Sequence, residues 1–179
     1  MSRSDPDAAA QEPIVAMEGG PGYGSIGSVG SYRILFGPLL QTRDLIVMDQ
    51  RGTGGSEAIK CPDLQRGRGD YVDAVTACAE QLGANANTYG SAAAADDLAA
   101  ILAGLGVGSV NVYGDSYGTY LAQVFALRHP EQVRALVLDG AYDDDFDPFA
   151  RDAAGALARS WTTLCRRAGT CPNISQDIR

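Results

Sequence analysis

Apolar positions fall into two rhythms along this chain. Four short runs, at residues 13–17, 44–49, 109–113 and 133–139, are nearly continuous in aliphatic and β-branched residues. Little polar alternation interrupts them, which predicts strands buried on both faces of a parallel sheet. Between them the spacing lengthens. Residues 91–105 set Ala95, Leu98, Ile101, Leu102 and Leu105 on one helical face and stop at Gly106. Residues 117–129 repeat the pattern with Leu121, Val124 and Phe125, and Pro130 ends it. Strands alternating with helices predict an α/β fold with right-handed crossovers. Past Asp139 the texture changes to an acidic turn, and residues 150–169 then read as a helix lying outside the sheet.

Composition narrows the class only a little. The 179 residues are 45% hydrophobic and 20% charged, which suits one globular domain and the start of a second. A net charge of −8 without any Lys/Arg-rich run argues against a nucleic-acid partner. No apolar stretch approaches the ~20 residues of a membrane span. The first thirteen residues lack the apolar core of a signal peptide, so no export address is expected in the chain as written. Four cysteines leave two readings open. Cys61 with Cys78 and Cys165 with Cys171 would close short disulfide loops in an exported parent; alternatively all four are reduced thiols in a cytosolic protein. No metal is expected, because there is no C-x-x-C spacing and a single histidine. The acidic cluster Asp143–Asp147 reads as a solvated loop rather than a cation site.

The chemistry centres on Gly114-Asp115-Ser116-Tyr117-Gly118. This is a G-x-S-x-G pentapeptide with a strand before it and a helix after it. Such a turn is sharp and strained, and glycines at both ends keep side chains out of neighbouring backbone. It lifts the serine hydroxyl to the helix N-terminus, where the partial positive charge and the Tyr117 N–H can face a developing oxyanion. Ser116 is therefore the expected nucleophile, with a merely structural turn as the alternative. A serine nucleophile wants a histidine, and His129 is the sole one. A helical rise of ~1.5 Å per residue sets His129 about 18–20 Å from Ser116, whereas a base must come within ~3 Å. His129 is expected to be structural, at a helix C-terminus that suits its charge. Nothing else is placed by the sequence to take the serine proton.

Two other glycine-rich stretches follow strands. Residues 22–27 fit G-x-G-x-x-G, and with Asp49 they offer a dinucleotide-binding βαβ unit as a rival. Against it, Gly19-Gly20-Pro21 separates the pattern from its strand, and Asp49 lies beyond the usual ~20-residue interval. The preferred expectation is a backbone loop whose N–H near Gly20 completes an oxyanion hole opposite Tyr117, with no cofactor. In the stretch Asp49–Ser56, Asp49 and Arg51 flank a tight glycine turn and are expected to form a structural ion pair.

Taken in order, Gly19–Gly22, Asp49–Ser56 and Gly114–Thr119 resemble three motifs of α/β-hydrolase aminopeptidases of the proline iminopeptidase and tripeptidyl aminopeptidase type. Residues 128–141 also look like that family's helix-to-strand passage, and the resemblance spans about residues 13–172. It implies a serine exopeptidase that releases residues from free peptide N-termini, built on a wider, mostly parallel sheet with an inserted helical cap. The family's acid and histidine follow that cap. The expected organisation is therefore an irregular segment 1–12, a partial α/β-hydrolase core 13–142 incomplete at both flanks, and the start of a cap at 143–179. Such a chain would be inactive alone, its partners being a peptide with a free N-terminus and a C-terminal remainder or second chain supplying Asp and His. Glu18 stands where many relatives carry histidine, and a hydrogen-bonding role in the loop is preferred over contact with a substrate ammonium. Asp139, which ends the strand after the nucleophile helix, is expected to be structural. A competing possibility from another class is a binding module that kept the fold without the chemistry.

Overall fold

The structure, a computed structural model, describes residues 5, 7, 9–143 and 153–169. All four apolar runs are strands: β1 (Gln11–Met17), β2 (Arg43–Val47), β3 (Val110–Asp115) and β4 (Val133–Asp139). They make one sheet in the order β2-β1-β3-β4, every neighbouring pair parallel. Six α-helices lie among the described residues: α1 (Val29–Phe36), α2 (Pro62–Gln65), α3 (Tyr71–Leu82), α4 (Ser91–Gly104), α5 (Tyr117–Arg128) and α6 (Ala153–Ala168).

β1 shows why the strand runs lack polar alternation. Its Ile14 and Ala16 join Tyr32, Phe36, Leu40 and Leu45 in one core, beneath α1. Its Val15 and Met17 enter the opposite core with Leu98, Leu102, Val112, Leu121 and Phe125, beneath α4 and α5. A strand covered on both sides has no face left for polar residues. The two long helices predicted from spacing are present, α4 burying Ala94, Ala95, Leu98 and Leu102, and α5 burying Leu121 and Phe125. The sequence reading missed α3, although its signals are local. The Asp70 carboxylate accepts from the Val72 and Asp73 N–H groups, an N-cap, and Gly83 follows the last residue. Cys61 and Cys78 form a disulfide that ties α3 to the start of α2, with Cα atoms 5.5 Å apart. Cys165 is also disulfide-bonded, and Cys171 lies outside the described residues.

The chain divides into two compact units, Met1–Asp144 and Asp145–Arg179. The second is represented by α6, which sets Leu157, Trp161 and Leu164 along one face at i, i+4, i+7. Asp144, Asp145 and Asp147 of the acidic cluster lie outside the described residues. In the first unit, the chain leaves β1 for β2 on one side and reaches β3 on the other. The carboxyl ends of β1 and β3 therefore lie side by side where the connections diverge, which in open α/β sheets is where ligands bind.

Candidate active site

Ser116 occupies that divergence. It is the N-cap of α5 with φ 51° and ψ −123°, one of two non-glycine residues with positive φ among those described. The strain is tolerated because the surroundings leave no alternative. A Cβ on Gly114 would collide with the Gly118 carbonyl oxygen, and one on Gly118 would collide with the Met17 carbonyl oxygen. The Ser116 N–H donates to the Asp139 carbonyl at 2.9 Å, so the end of β4 holds the turn from the other side. The Thr119 hydroxyl, fully buried, donates to the Ser116 carbonyl at 2.6 Å.

The loop after β1 packs directly on Ser116. A Cβ on Gly19 would lie 2.9 Å from Ser116 Cβ, so only glycine lets the two turns approach this closely. Gly20 follows with φ 120°, a conformation that L side chains rarely adopt. As the first residue of α5, Tyr117 presents an N–H that the helix itself cannot satisfy. Its side chain is anchored elsewhere, its hydroxyl 2.6 Å from Ser91 Oγ at the start of α4. Residues 22–27 do not run straight into a helix: Ser25–Ser28 form a 3-10 turn and α1 begins at Val29.

Glu18 and Asp115, one at the mouth of each turn, meet at Tyr32. The Tyr32 hydroxyl lies 3.1 Å from Asp115 Oδ1 and 3.4 Å from Glu18 Oε2, while Glu18 Oε1 accepts the Gly19 N–H at 3.1 Å. Burial pushes the Asp115 carboxyl above the usual range, and its hydrogen bond to Glu18 and that residue's charge push the same way. Burial also opposes the Glu18 charge, but hydrogen bonds from Ser28, Gly19, Asp115 and Tyr32 outweigh it and hold Glu18 low. Tyr113 is raised to about 12, by burial first and then by its hydrogen bond to Asp139, whose Oδ2 it meets at 2.9 Å.

Asp49 and Arg51 do not pair. Asp49, buried, accepts from the Ile26 and Gly55 N–H groups at 2.9 and 2.8 Å, stitching the first loop to the second. Arg51 instead reaches α4, its Nε donating to Asp97 Oδ2 at 2.7 Å. A carboxylate in a glycine turn finds nearer donors in the backbone than in a side chain that must fold back on itself. His129 sits at the far end of α5, its Nε2 2.9 Å from Asp96 Oδ1 and its ring against Phe125. The group that does contact the serine was not anticipated: Tyr142 Oη lies 3.2 Å from Ser116 Oγ. Its position three residues past Asp139 was a usable signal, since strand carboxyl ends converge on such a site. Among the described residues, no three His, Cys, Asp or Glu side chains gather as a metal would require, and no helix is long and apolar enough to cross a membrane.

Comparison with known proteins agrees with this architecture. The family described as alpha/beta hydrolase fold matches residues 12–169. The serine protease Hip1 of Mycobacterium tuberculosis is 28% identical over 186 residues, covering 89% of this chain and 36% of its own. The proline iminopeptidase of Neisseria gonorrhoeae is 30% identical over 130 residues, 73% of this chain and 33% of its own. The crystal structure of proline iminopeptidase from Mycobacterium smegmatis superposes with a TM-score of 0.51 at 22% identity, over 75% of this chain and 36% of that one. The chain spans about a third of the length of the curated relatives it matches.

Proposed function

The chain belongs to the alpha/beta hydrolase fold family, among serine hydrolases and peptidases, and we propose that it carries the nucleophile half of an aminopeptidase that acts on free peptide N-termini. Ser116 attacks the scissile carbonyl. The backbone N–H groups of Gly20 and Tyr117 receive the oxyanion, and developing charge there is favoured by the α5 N-terminus. The observation that carries this reading is the strained Ser116 at the start of α5, held between two glycines that admit no Cβ.

What this half lacks is a histidine within reach of Ser116. Twelve helical residues separate Ser116 from His129, about 18 Å at 1.5 Å per residue. A polypeptide carrying the acid and histidine, whether a C-terminal remainder or a second chain, completes the site. Residues 13–142 are in this view a partial hydrolase core and 143–179 the start of its cap. Loss of triad members from an intact enzyme still leaves about 10³–10⁴-fold catalysis over water. A half-site, with its substrate pocket also incomplete, falls below that and shows no peptidase turnover at neutral pH.

The test is complementation. Assembly with a polypeptide that supplies the acid and histidine should produce hydrolysis of peptides with a free N-terminus, reduced by N-acetylation and abolished by Ser116→Ala. Neutral-pH turnover by this chain alone that survives His129→Ala would sink the proposal. A binding module without chemistry would leave every mixture inactive.

A further inference from the structure

The Ser116–Tyr142 contact is held by the main chain rather than by the phenol. The Tyr142 N–H donates to Thr119 Oγ1 at 2.9 Å, and Gln123 Nε2 donates to the Tyr142 carbonyl at 2.9 Å. Thr119 in turn donates to the Ser116 carbonyl. The elbow, the first two turns of α5 and the segment after β4 thus form one hydrogen-bonded unit that aims the phenol at Ser116 Oγ. Either hydroxyl of the 3.2 Å pair can donate, so the pair can pass a proton in either direction.

We propose that Tyr142 is a catalytic residue of this site: as a phenolate it accepts the Ser116 proton while Oγ attacks an activated acyl or phosphonyl centre, an acyl-transfer chemistry that requires no histidine. This rests on Ser116 being the nucleophile. With a fluorophosphonate, the Oγ–P bond forms, the P–F bond breaks and fluoride leaves, and the serine proton ends on Tyr142 Oη. With a p-nitrophenyl ester, the bond from Oγ to the carbonyl carbon forms, the bond from that carbon to the aryloxy oxygen breaks and p-nitrophenolate leaves, with the same fate for the proton.

The activity is an alkaline one, because phenols as a class ionise in the alkaline range. Among the described residues, the carboxyls on the surrounding elements are Glu18 after β1, Asp115 at the end of β3, Asp139 at the end of β4 and Asp143 beside Tyr142 in the chain. Carboxyls as a class titrate far below the alkaline range. The neighbouring phenols are committed elsewhere. Tyr32 and Tyr113 bond to carboxylates and are raised, burial being the main cause for each; Tyr117 faces Ser91 and is raised by burial; Tyr120 packs on Tyr117. An alkaline response at Ser116 Oγ is therefore assigned to Tyr142.

The test is fluorophosphonate labelling of Ser116 in the intact chain, read by mass spectrometry from about pH 7 to about pH 11. The expected rate climbs about tenfold per pH unit, as for catalysis by a positioned base, and then levels. Tyr142→Phe keeps the ring and both main-chain bonds, and should lower the rate at about pH 10 by about a hundredfold. Placing 2,3-difluorotyrosine at 142 should move the climb toward neutral pH, where alkali does not stress the fold. Labelling that Tyr142→Phe leaves unchanged, or that climbs without levelling, would assign the proton to hydroxide and overturn the proposal while Ser116 remains the nucleophile. Failure to label at any pH would overturn both.

Discussion

β3 and β4 are neighbours with nearly the same kind of sequence and opposite surroundings. β3, Val110–Asp115, alternates buried and half-buried positions, with Val110 and Val112 at 0% and 1% exposure. β4 reads VRALVLD, at least as apolar, yet Leu136 and Val137 are 36% and 56% exposed. The difference lies in what stands beside each. Among the described residues, β3 has β1 and β4 as partners and a core on either face, whereas β4 pairs only with β3 at the sheet margin. An apolar groove of about 440 Å³ opens along this margin, lined by Ile14, Leu35, Phe36, Tyr113, Ala135 and Val137, away from Ser116. An apolar run thus records a demand for cover: β3 has it on both faces, whereas in β4 Val133 and Leu138 pack on the core while Leu136 and Val137 stay open.

The largest test of that contrast is a pair of truncations. Phe125→Ala, at a fully buried position on the covered side, should cost about 3–5 kcal/mol in urea unfolding. Leu136→Ala on β4 should cost no more than about 0.5 kcal/mol. Equal losses would break the comparison. Next in size, Gly118→Ala forces a Cβ against the Met17 carbonyl and should lose about 1–3 kcal/mol, since backbone on both sides must shift.

A smaller effect on stability carries a larger one on association. An exposed apolar edge strand recruits other chains, so Val137→Lys should reduce self-association in sedimentation velocity while changing stability by no more than about 0.5 kcal/mol. Unchanged association would mean that this margin is not the sticky one.

The smallest effect concerns the clamp between α4 and α5. Hydrogen bonds from Arg128 and then from His129 hold the Asp96 carboxyl down at about 2. A folded value below the unfolded one, ~3.8–3.9 for a free Asp, means the contribution is complete above that range. It is lost as pH falls through about 2. Asp96→Asn should therefore flatten the stability profile between about pH 4 and pH 2, and an identical profile for both proteins would refute the clamp. The group is solvent-exposed, so the change is modest.

Much of the fold was legible because its causes are short-ranged. The strand runs, the α4 and α5 periodicities, the stops at Gly106 and Pro130 and the strained elbow all follow from sterics and burial within a few residues. The distance between Ser116 and His129 was legible too, because a helix has a fixed rise. Partner choice was less so. Arg51 with Asp97, Tyr32 with Asp115 and Tyr142 with Ser116 are separated by 46, 83 and 26 residues, and no local rule says which side chain will lie opposite which.

The division between the two kinds of information is physical. By itself the sequence determined the order of strands and helices, the glycines that let two turns approach, and the absence of a histidine within reach of Ser116. Tertiary structure alone decided that β1 and β3 are neighbours, which brings Gly19 against Ser116, and that β4 lies at the margin with its apolar face open. It also decided that the residue facing Ser116 is a tyrosine. Contacts between strands depend on how the whole sheet closes around its cores, and loop closure between distant residues is governed by that packing rather than by the residues that meet.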